Sequence, residues 1–336
     1  MNEIELGSSG LRTAPIGFGC SALLGRSGRA DSLRALDEAW DEGVRFFDTA
    51  RSYGYGESEA LLGEFLRGRR DRAVIATKFG IVPAPQSPWK QAAKSVARKI
   101  VSAAPSARTV LRKGAAAQFT EGQFTIPVLQ QSIETSLRKL GTEYVDLLFL
   151  HSAPASVLHQ EDLLEAMGRL VDQGKVRVAG LSAEPDVVAL AVERKVEPLG
   201  AMQFPCNLFN LCGVIGFPAQ TGGDCVLIAN HPFGGVDRVH ECREKLQALA
   251  ASPELDISLR DKLHRLDDPT LADVVLNVIL RDTGIHVVIP AMMRIEHIQA
   301  NVRALKSSRF NSEEIMQIRK MFLAASPRHQ SVSAGG

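Results

Sequence analysis

Short apolar runs alternate with amphipathic stretches along this chain. The apolar runs begin at residues 15, 45, 73, 144, 176, 200, 226 and 286. Each is flanked by turn-forming residues and reads as a strand buried on both faces. Between them, residues 32–42, 57–66, 128–140, 162–173, 186–193, 271–283, 296–305 and 312–323 carry helical spacing. In the first of these, Leu33, Leu36 and Trp40 share one face, and Asp31 is the expected N-cap. Strands alternating with helices predict a parallel sheet covered by helices. Eight of them favour closure into a (β/α)8 TIM barrel, which needs roughly 250 residues.

The remainder of the chain fits around that barrel. Two domains of about 150 residues would also suit the length, so the strand count is what favours a single barrel domain over 1–336. An N-terminal hairpin through Ile4–Leu6 and Leu11–Arg12 is expected to plug the barrel bottom. Long insertions at 79–126 and 232–268 both follow a strand. That places them at the C-terminal mouth, as lids or binding loops.

Composition narrows the class without naming a function. Hydrophobic residues are 45% and charged residues 23%, with a net charge of +1, so nothing points to nucleic acid or an anionic membrane. No apolar run reaches the roughly 20 residues that span a bilayer. The first residues lack the basic and apolar regions of a signal peptide, and a cytoplasmic protein is expected. The five cysteines, Cys20, Cys206, Cys212, Cys225 and Cys242, form no C-x-x-C pair. Buried free thiols are expected, with no disulfide framework and no metal site.

Polar residues close the early strands: Asp48, Lys78 and His151. Tyr53 follows Asp48 within Arg51-Ser52-Tyr53-Gly54-Tyr55-Gly56. Neighbouring strands lie about 5 Å apart, so all four side chains can converge on one cleft. Their types suit carbonyl reduction. Hydride delivery to a carbonyl carbon leaves negative charge on oxygen, and a tyrosine can protonate it. A phenol ionises near pH 10, and a cationic Lys78 should lower that value. Asp48 would pair with Lys78, while His151 would hydrogen-bond the carbonyl oxygen or relay the proton. Taken singly, each residue has a plain structural reading: a strand-end ion pair, a turn aromatic, a core histidine. Their joint placement on successive strand ends favours the chemical one.

These residues also carry a family resemblance. The segments Phe47-Asp48-Thr49-Ala50-Arg51-Ser52-Tyr53-Gly54, Gly56-Glu57-Ser58-Glu59, Ala76-Thr77-Lys78, Ser136-Leu137-Arg138-Lys139-Leu140-Gly141 and Asp146-Leu147-Leu148-Phe149-Leu150-His151 resemble the aldo-keto reductase signature. The resemblance runs from the hairpin to about residue 305. It implies a (β/α)8 barrel that reduces aldehydes and ketones, the catalytic tetrad being Asp48, Tyr53, Lys78 and His151.

No G-x-G-x-x-G follows a strand, which argues against a Rossmann site. The resemblance instead implies a cofactor at the barrel mouth, NADP with NAD not excluded. Its contacts would come from Gly19, Cys20, Asp48, Ser182 and Gln203, then from Asn230, Pro232, Phe233, Gly234 and Gly235. At the adenosine end they would come from Ile289, Ala291, Met292, Arg294, His297 and Asn301. The chain departs from the family at three places. Ala183 stands where an asparagine usually follows the serine. Asn230 stands where an aromatic often stacks on nicotinamide. Ala291, Met292 and His297 occupy positions that bind the 2′-phosphate in NADPH enzymes, leaving Arg294 as the strong cation.

Lys90, Lys94, Arg98, Lys99, Arg108, Arg112 and Lys113 make the first insertion basic. This is a solvated lid face or an aid to anionic ligands. Tyr53, His151 and Trp89 are expected to line the substrate pocket, with Phe79 and Phe124 beside them. The expected partner is a small carbonyl or alcohol, including sugars. Three other functions use the same scaffold: a Schiff-base aldolase acting through Lys78, a non-catalytic nicotinamide-binding accessory or sensor, and a redox-neutral enzyme that recycles held cofactor. Nothing in the sequence specifies an oligomeric state.

Overall fold

The computed structural model describes residues 1–25, 28–83, 119–235 and 238–325. Its main sheet has eight parallel strands: β1 (Gly17–Gly19), β2 (Phe46–Asp48), β3 (Val74–Phe79), β4 (Val145–His151), β5 (Val176–Ser182), β6 (Leu199–Pro205), β7 (Val226–Asn230) and β8 (Val287–Ile289). They pair in sequence order. A parallel bridge between Ile16 and Val288 brings the two ends together, with Val288 N–H donating to Pro15 O at 3.1 Å. The predicted (β/α)8 barrel is therefore the observed fold, and each predicted strand has its counterpart.

Side-chain alternation separates the interior of this barrel from its outer layer. Phe46, Val74, Ala76, Leu147, Phe149, Ala201, Val226, Ile228, Val287 and Ile289 pack together inside. Leu6 and Leu11 of the hairpin Ile4–Glu5 with Arg12–Thr13 join them and close the bottom, as expected. His286 ties this plug to the barrel. Its Nε2 faces Gly7 N–H and its Nδ1 faces Leu227 N–H, both at 3.1 Å. A neutral ring has one bare nitrogen, so one of the two N–H groups is served at a time.

The helices follow the predicted spacing with shifted starts. The first spans Arg29–Asp41, so Asp31 lies in its first turn instead of capping it, where it pairs with Arg34 and complements the helix dipole. Gly28 is the N-cap. Helix Ile126–Leu140 is capped by Thr125 and ended by Gly141 in the left-handed region. Asp267 accepts from Thr270 N–H and starts helix Asp268–Leu280. The second insertion, expected as a long loop, holds helices Val239–Leu249 and Ile257–His264. Cys242 and Leu246 bury the inner face of the former.

The first insertion begins and ends as an antiparallel ribbon, Val82–Pro83 with Phe119–Thr120. Trp89 and the basic run from Lys90 to Lys113 lie outside the described residues. Phe79 and Phe124 do not line a pocket. Both are buried in the outer core and meet edge to face, with centroids 6.1 Å apart. Phe79 follows the inward-facing Lys78, so alternation turns it outward. The five cysteines are free, but only Cys20, Cys206 and Cys242 are fully buried; Cys225 is half-buried and Cys212 exposed. No described helix is long and apolar enough to cross a membrane.

Candidate active site

Inside the barrel, each interior residue near a strand end is followed two positions later by a residue at the mouth. Phe46 leads to Asp48, Ala76 to Lys78, Phe149 to His151, Ala201 to Gln203 and Ile228 to Asn230. Period two thus brings together polar groups from five different strands.

Lys78 is fully buried, and Asp48 nearly so. The Lys78 Nζ donates to Asp48 Oδ1 at 2.6 Å and to Thr49 O at 3.0 Å. It lies 4.8 Å from the centre of the Tyr53 ring. Burial pushes the ammonium down, but Asp48 and Tyr53 outweigh it and hold its pKa above the ordinary value. Gln203 Nε2 donates to the same Asp48 oxygen at 2.9 Å, and Ser182 Oγ donates to Gln203 Oε1 at 2.8 Å. A continuous chain of hydrogen bonds thus runs across the mouth from Ser182 to Lys78.

A tight turn presents Tyr53 to this chain. Gly54, Tyr55 and Gly56 all adopt positive φ, at 57°, 58° and 87°. A Cβ on Gly54 would lie 3.0 Å from Leu23 O, so glycine lets the turn sit against the 20–24 segment. Ser58 Oγ fastens the other side by donating to Cys20 O at 3.1 Å. The Tyr53 ring meets His151 edge-on, centroids 5.8 Å apart. Cys20 is buried beside these groups and its thiol is raised well above the usual range, chiefly by burial, so it stays protonated.

Burial raises the Tyr53 phenol, and Lys78 offsets only part of that rise. The lowering expected from Lys78 alone is therefore outweighed. The phenol thus remains protonated at neutral pH. Burial, with help from Lys78, holds His151 down at about 3. Its imidazole is neutral at physiological pH, which suits a hydrogen bond to a carbonyl oxygen better than transfer of an imidazolium proton.

The His151 shift has a stability consequence. Below pH 6.5 the unfolded chain binds a proton at this site that the folded protein refuses. The contribution of His151 is thus complete above pH ~6.5 and lost as the pH falls toward its folded-state value. His286, also lowered by burial, acts in the same sense. Wild type should lose more stability than His151→Asn between pH ~7 and pH ~5, by on the order of 1–2 kcal/mol. Urea denaturation midpoints at the two pH values measure this.

The cofactor residues named by resemblance line an arc around the mouth. Gly19 ends β1, and a Cβ there would come within 3.2 Å of Ile289 at the end of β8. After β7, His231, Gly234 and Gly235 all take positive φ, and Gly234 N–H closes the turn onto His231 O at 2.9 Å. Such backbone aims N–H groups into a concavity suited to an anion. Pro232 is buried there, and Phe233 packs against the core. Arg238, a residue the sequence analysis did not name, lies against this turn: a Cβ on Gly234 would meet its side chain at 3.1 Å, and its guanidinium sits 4.9 Å from the centre of the Phe209 ring.

The adenosine end is less uniform. Arg294 is exposed as N-cap of helix Ile295–Lys306, with Ala291 and His297 also exposed. Met292, expected among the cofactor contacts, is instead fully buried in the core. Asn301 is buried on the same helix. Ala183, buried after Ser182, offers no side-chain amide. Asn230 presents a fully shielded Oδ1 with no hydrogen-bond partner. Glycines in close quarters and a backbone concavity together fit a bound dinucleotide.

Comparison with known proteins identifies the family. The model of the aldo/keto reductase family matches residues 15–322. A probable aldo-keto reductase from Glycine max is 27% identical over 91% of this chain and 84% of its own. L-glyceraldehyde 3-phosphate reductase from Escherichia coli O157:H7 is 26% identical over 93% and 90%. The holo form of an aldo-keto reductase from Bacillus halodurans shares the fold, with a TM-score of 0.70, 22% identity and coverage of 98% and 99%. The family match spans nearly all of the barrel, and the chain belongs to the aldo/keto reductase family of NAD(P)-dependent oxidoreductases.

Proposed function

We propose that this protein reduces the carbonyl group of a small aldehyde, ketone or sugar, with Tyr53 as the proton donor and NADPH as the preferred cofactor. The observation that carries the reading is the contact of Tyr53 with a buried lysine whose charge is held by Asp48.

A bound reduced nicotinamide would supply the hydride; every other task falls to the chain. His151 donates a hydrogen bond to the carbonyl oxygen and fixes it beside the Tyr53 hydroxyl. As negative charge grows on that oxygen, the phenol proton moves to it. Lys78 stabilises the phenolate left behind, which burial alone would make costly. Asp48 and Thr49 hold the ammonium in place throughout. Ser182 and Gln203 hold the carboxamide end of the cofactor, and the turn from His231 to Gly235, with Arg238, holds the pyrophosphate.

The pH dependence follows from these roles. Reduction needs the neutral phenol, so its rate should stay level through neutral pH and fall on the alkaline side. Oxidation of the alcohol needs the phenolate and should rise over the same range. Loss or gain of the reduced-nicotinamide absorbance across a panel of aldehydes, ketones and sugars tests the activity itself. A relative that acts on a phosphorylated aldehyde makes such compounds sensible members of that panel.

The preference for NADPH rests on Arg294 at a helix start, where the helix dipole also favours an anion. Arg294→Ala should weaken NADPH binding by about tenfold or more and leave NADH within about twofold. Calorimetric titration with both cofactors checks it. Equal losses for the two would move the 2′-phosphate away from Arg294.

A further inference from the structure

We propose that Lys139, assisted by Ser132, is a positioning residue for carbonyl reduction: from helix Ile126–Leu140 it grips the turn that carries Tyr53 and so fixes where the phenol proton is delivered. The inference rests on Tyr53 as the proton donor and adds the means by which an outer helix holds it in place.

The turn after Tyr53 needs holding. Gly54, Tyr55 and Gly56 run consecutively at positive φ, and Tyr55 pays for that backbone with a full side chain. Such a turn keeps its shape only where its surroundings over-determine it. The 20–24 segment and Ser58, whose Oγ donates to Cys20 O at 3.1 Å, hold one side. Helix Ile126–Leu140 supplies the other. Lys139 Nζ donates to Gly56 O, and Arg51 Nη1 donates to Ser132 Oγ at 3.1 Å. The two ties bracket Tyr53, with Arg51 before it and Gly56 after it.

The helix is built for this. Ser132 and Lys139 stand at i and i+7, on one face, with Ser136 between them. Both serines are buried and Lys139 is half-buried. Lys139 also works from a fixed base. A Cβ on Gly63 would fall 2.5 Å from Lys139 O, so helix Ser58–Phe65, which continues from the turn, lies directly on this backbone. Glu59 at the start of that helix feels the same ammonium: burial raises its carboxyl, and Lys139 is among the groups that draw it back. The partner of Lys139 is a backbone carbonyl of the turn, so it acts on Tyr53 through geometry. Displacing a reacting group by about 1 Å can cost about 10²-fold in rate.

The experiment is a double-mutant cycle between Lys139→Met and Tyr53→Phe in the full-length protein loaded with NADPH. The readout is the single-turnover rate with a carbonyl that wild type reduces. Lys139→Met should slow that rate by about tenfold or more, with NADPH affinity by calorimetry within about twofold of wild type. Lys139→Arg, which keeps a donor for Gly56 O, should recover most of the rate. In the Tyr53→Phe background, Lys139→Met should change the residual rate by less than about twofold, because the group it positions is gone. A general structural defect would slow both backgrounds alike. Circular dichroism establishes that each variant is folded; if Lys139→Met is not, Ser132→Ala, which removes the tie to Arg51, takes its place in the cycle with the same expectation. A wild-type rate in the single variant, or equal slowing in both backgrounds, overturns the assignment and leaves Tyr53 as the donor. A Tyr53→Phe variant as fast as wild type overturns both.

Discussion

Lys78→Met is expected to destabilise the fold by about 3–5 kcal/mol and to remove most carbonyl reduction. The substitution leaves Asp48 buried and charged, without the ammonium now 2.6 Å away. Gln203 still donates to that carboxylate, but one neutral donor does not replace a cation. Adding Asp48→Asn removes the second charge and keeps an acceptor for Gln203. The double variant should therefore regain much of the stability while remaining inactive, because no cation faces the phenolate of Tyr53. Urea denaturation of both variants, beside steady-state rates, separates the two effects. A single variant as stable as wild type would mean that the pair contributes nothing to folding.

That pair also marks how far the sequence was legible. All eight strands followed from apolar runs alternating with helical stretches, and the convergence of Asp48, Lys78 and His151 from polar residues ending those runs on neighbouring strands. The hairpin plug was legible because Leu6 and Leu11 flank a glycine-rich turn. The direction of the Tyr53 shift was not. A list of charges shows Lys78 beside the phenol but not how completely both are buried, and burial dominates. Phe79 and Phe124 misled for a related reason. An aromatic at a strand end can face either way, and the parity set by Lys78 sends Phe79 to the outer core. Helix Val239–Leu249 was hidden by its setting: Val239, Cys242 and Leu246 have helical spacing, but few apolar residues surround them. Asn230 was seen as a departure from the family, while its unmet oxygen emerges only when its neighbours are in place.

Tyr53→Phe carries the other large effect. It removes one hydroxyl and leaves the ring, so the edge-on contact with His151 and the packing of the turn are retained. Lys78 keeps Asp48 and Thr49 as partners. The fold and the cofactor affinity should therefore be close to wild type. The rate should fall by about 10²–10⁴, the usual contribution of a positioned proton donor. His151 cannot substitute, since an imidazole held at about 3 carries no spare proton at neutral pH. Tyr55 cannot either: it is exposed and turned out by its own positive φ.

The most direct measurement is a single-turnover experiment. Excess enzyme, loaded with NADPH and mixed rapidly with a carbonyl that wild type reduces, is followed by loss of the reduced-nicotinamide absorbance. Wild type should oxidise its bound cofactor in one fast phase. Tyr53→Phe, shown by calorimetry to bind the same cofactor equally well, should be slower by about 10² or more. A fast phase in the variant within about tenfold of wild type would contradict proton donation by Tyr53.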